Sequence, residues 1–198
     1  MKYYFLILIC ITWLGYQPDP KMDSPDEGPM TSTEVASSEL LLLPEKGKVY
    51  FQDLPFTGTS VEHYAHGQLA VSTSYKNGKR EGPYRKWYPT GRLSFESQYV
   101  QGKKHGSTKS WWPNGKLRTA SEFVEGVAYG TQWSYYRSGV KFKRLQLVNG
   151  REEGLQQAWR ENGKLYNNYE AKNGRIFGLK RANLCYELDN EIVQYAEE

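Results

Sequence analysis

Residues 79–102 read KREGPYRKWYPTGRLSFESQYVQG, and residues 103–126, which follow directly, read KKHGSTKSWWPNGKLRTASEFVEG. The two blocks align without a gap: Gly82 falls on Gly106, Trp87-Tyr88 on Trp111-Trp112, Gly91 on Gly115, Leu93 on Leu117 and Gly102 on Gly126. The interval extends in both directions. Gly58, Gly82, Gly106, Gly130, Gly154 and Gly178 lie 24 residues apart, as do Gly67, Gly91, Gly115, Gly139 and Gly163, and again Gly78, Gly102, Gly126, Gly150 and Gly174. A period of this length, held through five units without insertion or deletion, is the mark of small identical elements stacked on their neighbours.

Each unit contains two turn signals and so two short strands. In Tyr88-Pro89-Thr90-Gly91-Arg92 and Trp112-Pro113-Asn114-Gly115-Lys116, proline sits where a type I turn needs φ near −65° and glycine where the left-handed residue falls. Such a three-residue loop pairs Tyr88 with Arg92 and Trp87 with Leu93, and one period on pairs Trp112 with Lys116 and Trp111 with Leu117. Neighbours along a strand point to opposite sides. Trp87, Leu93, Trp111, Leu117, Trp159 and Leu165 therefore read as a core-like row. Tyr88, Arg92, Trp112, Lys116 and Tyr136, continued by Arg160, read as a row of rings and cations facing solvent or a ligand. The second turn, as in Asn77-Gly78 or Asn149-Gly150, returns the chain to the next unit with its register open. The glycines from Gly82 to Gly178 read as clearance for a ring from the adjacent strand, with a bulge as the competing account.

The expected fold is all-β: an extended antiparallel sheet of stacked 24-residue β-hairpin repeats. Lys141 stands where the other units carry Leu93, Leu117 and Leu165, and Tyr135 replaces tryptophan, so the fourth unit is expected to be the loosest. Lys48 to Asp53 reads as a leading strand. Leu184–Leu188 and Glu191–Tyr195 read as a closing hairpin whose acidic groups resist further stacking.

A unit of the form G-x4-W-[YW]-x-[TN]-G-x-L resembles the MORN repeat variant of bacterial proteins, most clearly in Lys79–Gly102 and Lys103–Gly126, with Pro55-Phe56-Thr57-Gly58 resembling a first repeat. The resemblance implies a sheet of β-hairpins without catalytic residues. It extends to proteins labelled YwqK-family antitoxins, which implies a toxin-neutralising protein partner, while MORN repeats elsewhere are associated with membrane phospholipids and protein assembly.

The chain divides by composition into a signal peptide over 1–16, a flexible acidic linker over 17–45, MORN-like repeats over 46–180 and a C-terminal capping segment over 181–198. Met1-Lys2 followed by the apolar run Tyr3 to Leu14 is too short to span a bilayer and reads as an export leader. The expected location is the cell envelope or the medium. Lipid anchoring through Cys10 is the disfavoured alternative, because Ile9 before it is bulky and Ile11 to Leu14 continue the apolar run. With the leader removed only Cys185 remains, which leaves no intrachain disulfide.

The net charge of +4 conceals an asymmetry: residues 47–180 carry 22 basic and 10 acidic side chains, or +12, while each end carries −4. The first account of this charge is that the outward faces and edges of a thin sheet need it for solubility; it would also attract phosphates, acidic proteins or a membrane surface. Nucleic acid is not expected, because export removes it. No paired acids at fixed spacing, histidine-rich metal motif, nucleophile elbow or phosphate loop is present, so no enzyme activity and no cofactor is expected. The reading is an exported, non-enzymatic scaffold binding another protein through Tyr88, Arg92, Trp112, Lys116, Tyr136 and Arg160, with anionic lipid or envelope polymer as the alternative.

Overall fold

The computed structural model describes residues 33–180. The leader, Cys10, the linker up to residue 32, Cys185 and the closing hairpin lie outside the described residues. In chain order the strands are β1 (Glu34–Ala36), β2 (Leu41–Leu43), β3 (Lys48–Phe51), β4 (Leu54–Pro55), β5 (Gly58–His63), β6 (Leu69–Lys76), β7 (Lys79–Trp87), β8 (Leu93–Val100), β9 (Lys103–Trp111), β10 (Leu117–Val124), β11 (Val127–Tyr135), β12 (Lys141–Val148), β13 (Arg151–Glu152), β14 (Gly154–Trp159), β15 (Leu165–Lys172) and β16 (Arg175–Leu179). From β5 to β16 each strand pairs antiparallel with the next, β13 and β14 sharing β12, so the sheet of hairpin repeats is as expected.

The three-residue loops set the register read from their prolines and glycines: Trp87 pairs with Leu93, Trp111 with Leu117 and Trp159 with Leu165. At the second turns two successive residues have positive φ, as in Asn77 (50°) and Gly78 (79°), the backbone of a type I′ turn. Lys76 therefore opposes Lys79, and Val100 opposes Lys103. That register was open in the sequence, because a bulge at the glycines from Gly82 to Gly178 changes which face the flanking rings join.

The ring-clearance account of the glycines from Gly82 to Gly178 is overturned: a Cβ at any of them would meet no ring atom, and at Gly178 it would meet the backbone of Asn168 and Tyr169. Gly106 has φ 72°, and a Cβ there would meet nothing within 4 Å. The register slips beside it, between Ser97 and Tyr99 of the partner strand, so the glycine serves a bulge that only a left-handed residue can make. Gly58 is different: the carbonyl of Thr33 and the Phe56 ring crowd the space its Cβ would need.

The bulge also changes where the core lies. By register Tyr84, Phe95, Ser97 and Tyr99 share a face, and Tyr84 meets Phe95 and Tyr99 edge-on at 5.8 and 6.0 Å. The most buried side chains, among them Thr73, Ser97, Tyr99, Thr108, Gln156, Ala158 and Ala171, belong to this face. The Trp87, Leu93, Trp111, Leu117, Trp159 and Leu165 row, read as core-like, is only half-buried. Position across the sheet decides: mid-strand side chains are covered by ring neighbours on both sides, whereas the tryptophans lie beside the loops.

Two further differences concern the N-terminal part. Within the linker expected over 17–45, the described residues carry β1 and β2 rather than an unstructured chain. β1 adds to β5 in parallel, with Thr59 N–H donating to Thr33 at 3.0 Å and Val35 buried. An uncovered β5 would leave a row of unmet backbone groups, and β1, only three residues long, meets them. Lys48 to Asp53 does not lead the large sheet. β3 instead forms a three-stranded sheet in the order β2-β3-β4, tied to the first repeat by Val49 N–H donating to Gly78 (2.8 Å) and by Phe56 against Tyr75.

The fourth unit accommodates its exceptions. Lys141 places its ammonium 5.1 Å from the centroid of Trp133, which stacks on Trp159 and Tyr135, each at 6.2 Å. After it the strand breaks at Glu153, and the fully buried Gln156 bridges the break, its amide accepting from Gln146 N–H (2.9 Å) and donating to Gln146 carbonyl (2.8 Å).

Candidate functional site

The stacked hairpins give the sheet two margins, one made by the three-residue loops and one by the two-residue turns. At the loop margin a ladder of side-chain hydrogen bonds runs from each unit to the next. The hydroxyl of Tyr64 donates to the carbonyl of Trp87 (2.8 Å), Tyr88 to Trp111 (2.8 Å) and Tyr136 to Trp159 (2.9 Å); the Trp112 indole N–H donates to Tyr135 (3.1 Å). Each acceptor directly precedes the equivalent position one period on, a ring in every case but Arg160. The loop tips add further bonds: Arg92 Nη1 to Pro113 (3.1 Å), Asn114 Nδ2 to Arg137 (2.8 Å) and Lys116 Nζ to Ser138.

All six residues read from the sequence as a partner-binding stripe lie on this margin, and the structure gives them a job within the stack. Tyr88, Arg92, Trp112, Lys116 and Tyr136 each donate a hydrogen bond to a backbone carbonyl of the next unit. Arg160 occupies the ring position of the last unit, with its guanidinium 5.8 Å from the Tyr166 centroid. Rings of the row are packed as well: Tyr136 lies 4.9 Å from Phe142, and Arg118 sits 4.6 Å from the Trp112 centroid. Burial, and next the charge of Glu161, push the Tyr136 hydroxyl above its ordinary range against the opposing pull of Arg160, so it remains a donor.

At the turn margin the stitching is done by the backbone. The N–H groups of Gly78, Gly102, Gly126 and Gly150 donate to the carbonyls of Phe56, Arg80, Lys104 and Ala128, each 22 residues back, at 2.7 to 3.0 Å. Acceptors from the preceding unit also cap three of the turns, Thr57 at Asn77 (2.9 Å), Glu81 at Gln101 (2.7 Å) and Glu153 at Asn173 (3.2 Å). The side chains flanking the turns are left over. Val100, Val124 and Val148, 24 residues apart, together with Val127 and Tyr129, are between 41% and 52% exposed. Nearby, cations stand over rings: Arg80 is 5.2 and 5.4 Å from the centroids of Tyr84 and Tyr99, and Lys104 is 5.6 and 5.0 Å from those of Phe95 and Phe123. The apolar row was not singled out by sequence reasoning, since isolated valines in alternating strands look like core.

Among the described residues no cluster of His, Cys, Asp and Glu could hold a metal ion, and no helix is long and apolar enough to cross a membrane.

The family model described as MORN repeat variant matches residues 80–101 and 104–125, which are the second and third units of the array. No curated protein matches the chain.

Proposed function

We propose that this chain is a non-enzymatic repeat scaffold that binds another protein along its turn margin. MORN repeats are scaffolds for protein or membrane-lipid binding. The observation that carries the protein reading is the row of Val100, Val124 and Val148 with Val127 and Tyr129: apolar side chains recur in step with the repeat where stacking does not bury them. Burying apolar area on association is favourable by roughly 25 cal/mol per Å² before the costs of immobilisation, and a periodic row presents it in one line. The loop margin supports this by exclusion, because its rings and cations already serve the stack.

The scaffold acts outside the cell if the leader directs export, and a secreted toxin is one partner class within this reading. The comparison that tests it is a cross-linked pull-down from the native host with the wild-type chain and a Val100→Ser, Val124→Ser, Val148→Ser variant. Loss of the partner at unchanged circular dichroism supports the turn margin; equal capture refutes it. A second reading, anionic lipid or envelope polymer, is favoured by the ring-mounted cations Arg80 and Lys104, and vesicle sedimentation that vanishes at high salt would support it instead.

A further inference from the structure

At the N-terminal end of the turn margin the three-stranded sheet and the first repeats enclose a cleft of about 520 Å³. One wall is apolar, from Leu40, Leu42 and Val49; the other carries Arg80, on the sheet face of Tyr75, and at its margin beside the turns Lys79 and Lys103, which by register alternate to the opposite face. Glu62 is the single acidic residue lining it, so the cleft holds an excess of two positive charges. Lys79 and Arg80 make no ion pair among the described residues, and Lys103 meets only the exposed Glu125 at 3.5 Å, a pair of little energetic weight. Arg80 is positioned in advance by the rings of Tyr84 and Tyr99 beneath its guanidinium. A cation fixed over rings and lacking a carboxylate is arranged for an anion from elsewhere.

The apolar wall ends in a strand that is itself incomplete. β2 pairs with β3 along one side and, among the described residues, with nothing along the other. It is a run of leucines with Leu41 57% and Leu42 60% exposed, and within the strand it has none of the charges that usually protect an edge. Its side chains alternate as a strand's must: Leu42 lines the cleft, while Leu41 and Leu43 face the opposite side with Tyr50.

From these observations we infer that the cleft is a docking site for an extended acidic peptide segment of a protein partner, which adds a strand to the open edge of β2 and places its carboxylates against Lys79, Arg80 and Lys103. Backbone pairing to β2 supplies affinity without sequence demands, and the apolar and cationic walls select a segment that alternates apolar and acidic residues. The inference rests on the protein-binding reading and names the chemistry of the partner. The cleft adjoins Gln101, Gly102 and Lys103, the turn that follows Val100, so a partner entering here continues along the valine row.

The test uses the full chain and a fluorescent peptide of alternating Glu and Val, followed by anisotropy at low and high salt. Saturable binding is expected, weakened at least about tenfold by Lys79→Glu with Lys103→Glu, and similarly by Arg80→Glu. Leu42→Glu should abolish it, and Arg151→Glu, an exposed cation at the other end of the array, should leave it unchanged. Lys79 and Lys103 pack on no ring, so the double variant remains informative if Arg80→Glu disturbs Tyr84 and Tyr99. Binding unaffected by the double variant, equal binding of a Lys/Val peptide, or capture of anionic vesicles but not of the peptide would each overturn the proposal. A host partner that depends on the valine row but tolerates the double variant would leave the scaffold standing and remove the cleft from it.

Discussion

Replacing Tyr88 with phenylalanine removes one oxygen from the loop-margin ladder and nothing else, which makes it the cleanest measure of what that ladder contributes. The ring keeps its place, and the carbonyl of Trp111 loses the hydroxyl at 2.8 Å. A net intramolecular hydrogen bond is worth about 1 kcal/mol, and the half-buried setting of the pair puts the cost near that value rather than at the upper end for a sealed acceptor. For an array of this size 1 kcal/mol lowers Tm by roughly 2–4 °C. Tyr64 and Tyr136 make the same bond in other units. Equivalent positions in adjacent units are two strand spacings, about 9.6 Å, apart, and at that distance destabilisations add. The triple Tyr64→Phe, Tyr88→Phe, Tyr136→Phe variant should therefore lose about 3 kcal/mol in urea unfolding followed by tryptophan fluorescence. Because each bond joins neighbouring units, the loss falls on the interface between repeats, and the transition should broaden as cooperativity between units weakens. A triple variant with an unchanged midpoint would refute the ladder as a stabilising device. If that variant kept its stability but lost a host partner, the hydroxyls would belong to a binding surface and the assignment of the two margins would be reversed.

Gly106→Ala should cost about 1–2 kcal/mol, the backbone strain of a left-handed alanine with no clash to add, whereas Gly58→Ala should cost more in the same chemical melt because Thr33 occupies the space of the new methyl. Gln156→Leu should lose about 1–3 kcal/mol, since the fully buried amide is the partner of both backbone groups of Gln146, and hydrogen exchange at Gln146 should accelerate beyond the global change. Tyr169 is held to about 12 by burial and by its hydrogen bond to Glu152. Its folded value lies above the unfolded value near 10, so its contribution is complete below about pH 10 and is lost as pH rises through about 12. Tyr169→Phe should flatten the alkaline limb of a Tm–pH curve in that window.

The period and the loop register were legible because proline and glycine encode backbone angles directly, and a loop such as Tyr88 to Arg92 has few ways to close. The core face was not. Tryptophan and leucine suggested Trp87 and Leu93, but the sheet is one layer thick, so burial depends on distance from the margin more than on side-chain type. Ser97 and Thr108, hydrogen-bonded to each other at 2.7 Å, are buried in mid-strand beneath rings. β1 was illegible for another reason, since its pairing is dictated by the exposed edge of β5 and not by any apolar alternation of its own. The row of Tyr88, Trp112 and Tyr136 could be read as a row, but its acceptors are main-chain carbonyls, which no residue letter marks.

The two margins differ in what they require of their side chains, and that difference decides where a partner can be accommodated. At the loops, the unmet carbonyls of Trp87, Trp111, Tyr135 and Trp159 are reached only by side-chain donors, so a ring bearing an O–H or N–H must occupy nearly every unit and little variation is tolerated. Arg160, in the last unit, departs from the pattern. At the turns, the glycine N–H groups carry the same duty, and any residue can stand at Val100, Val124 or Val148 without cost to the stack. Exposed charge there would favour solubility, as Lys76 and Lys172 at the equivalent positions illustrate. Three valines in successive units, in positions that stacking leaves free, are therefore better accounted for by what they touch outside the chain than by what they hold together within it.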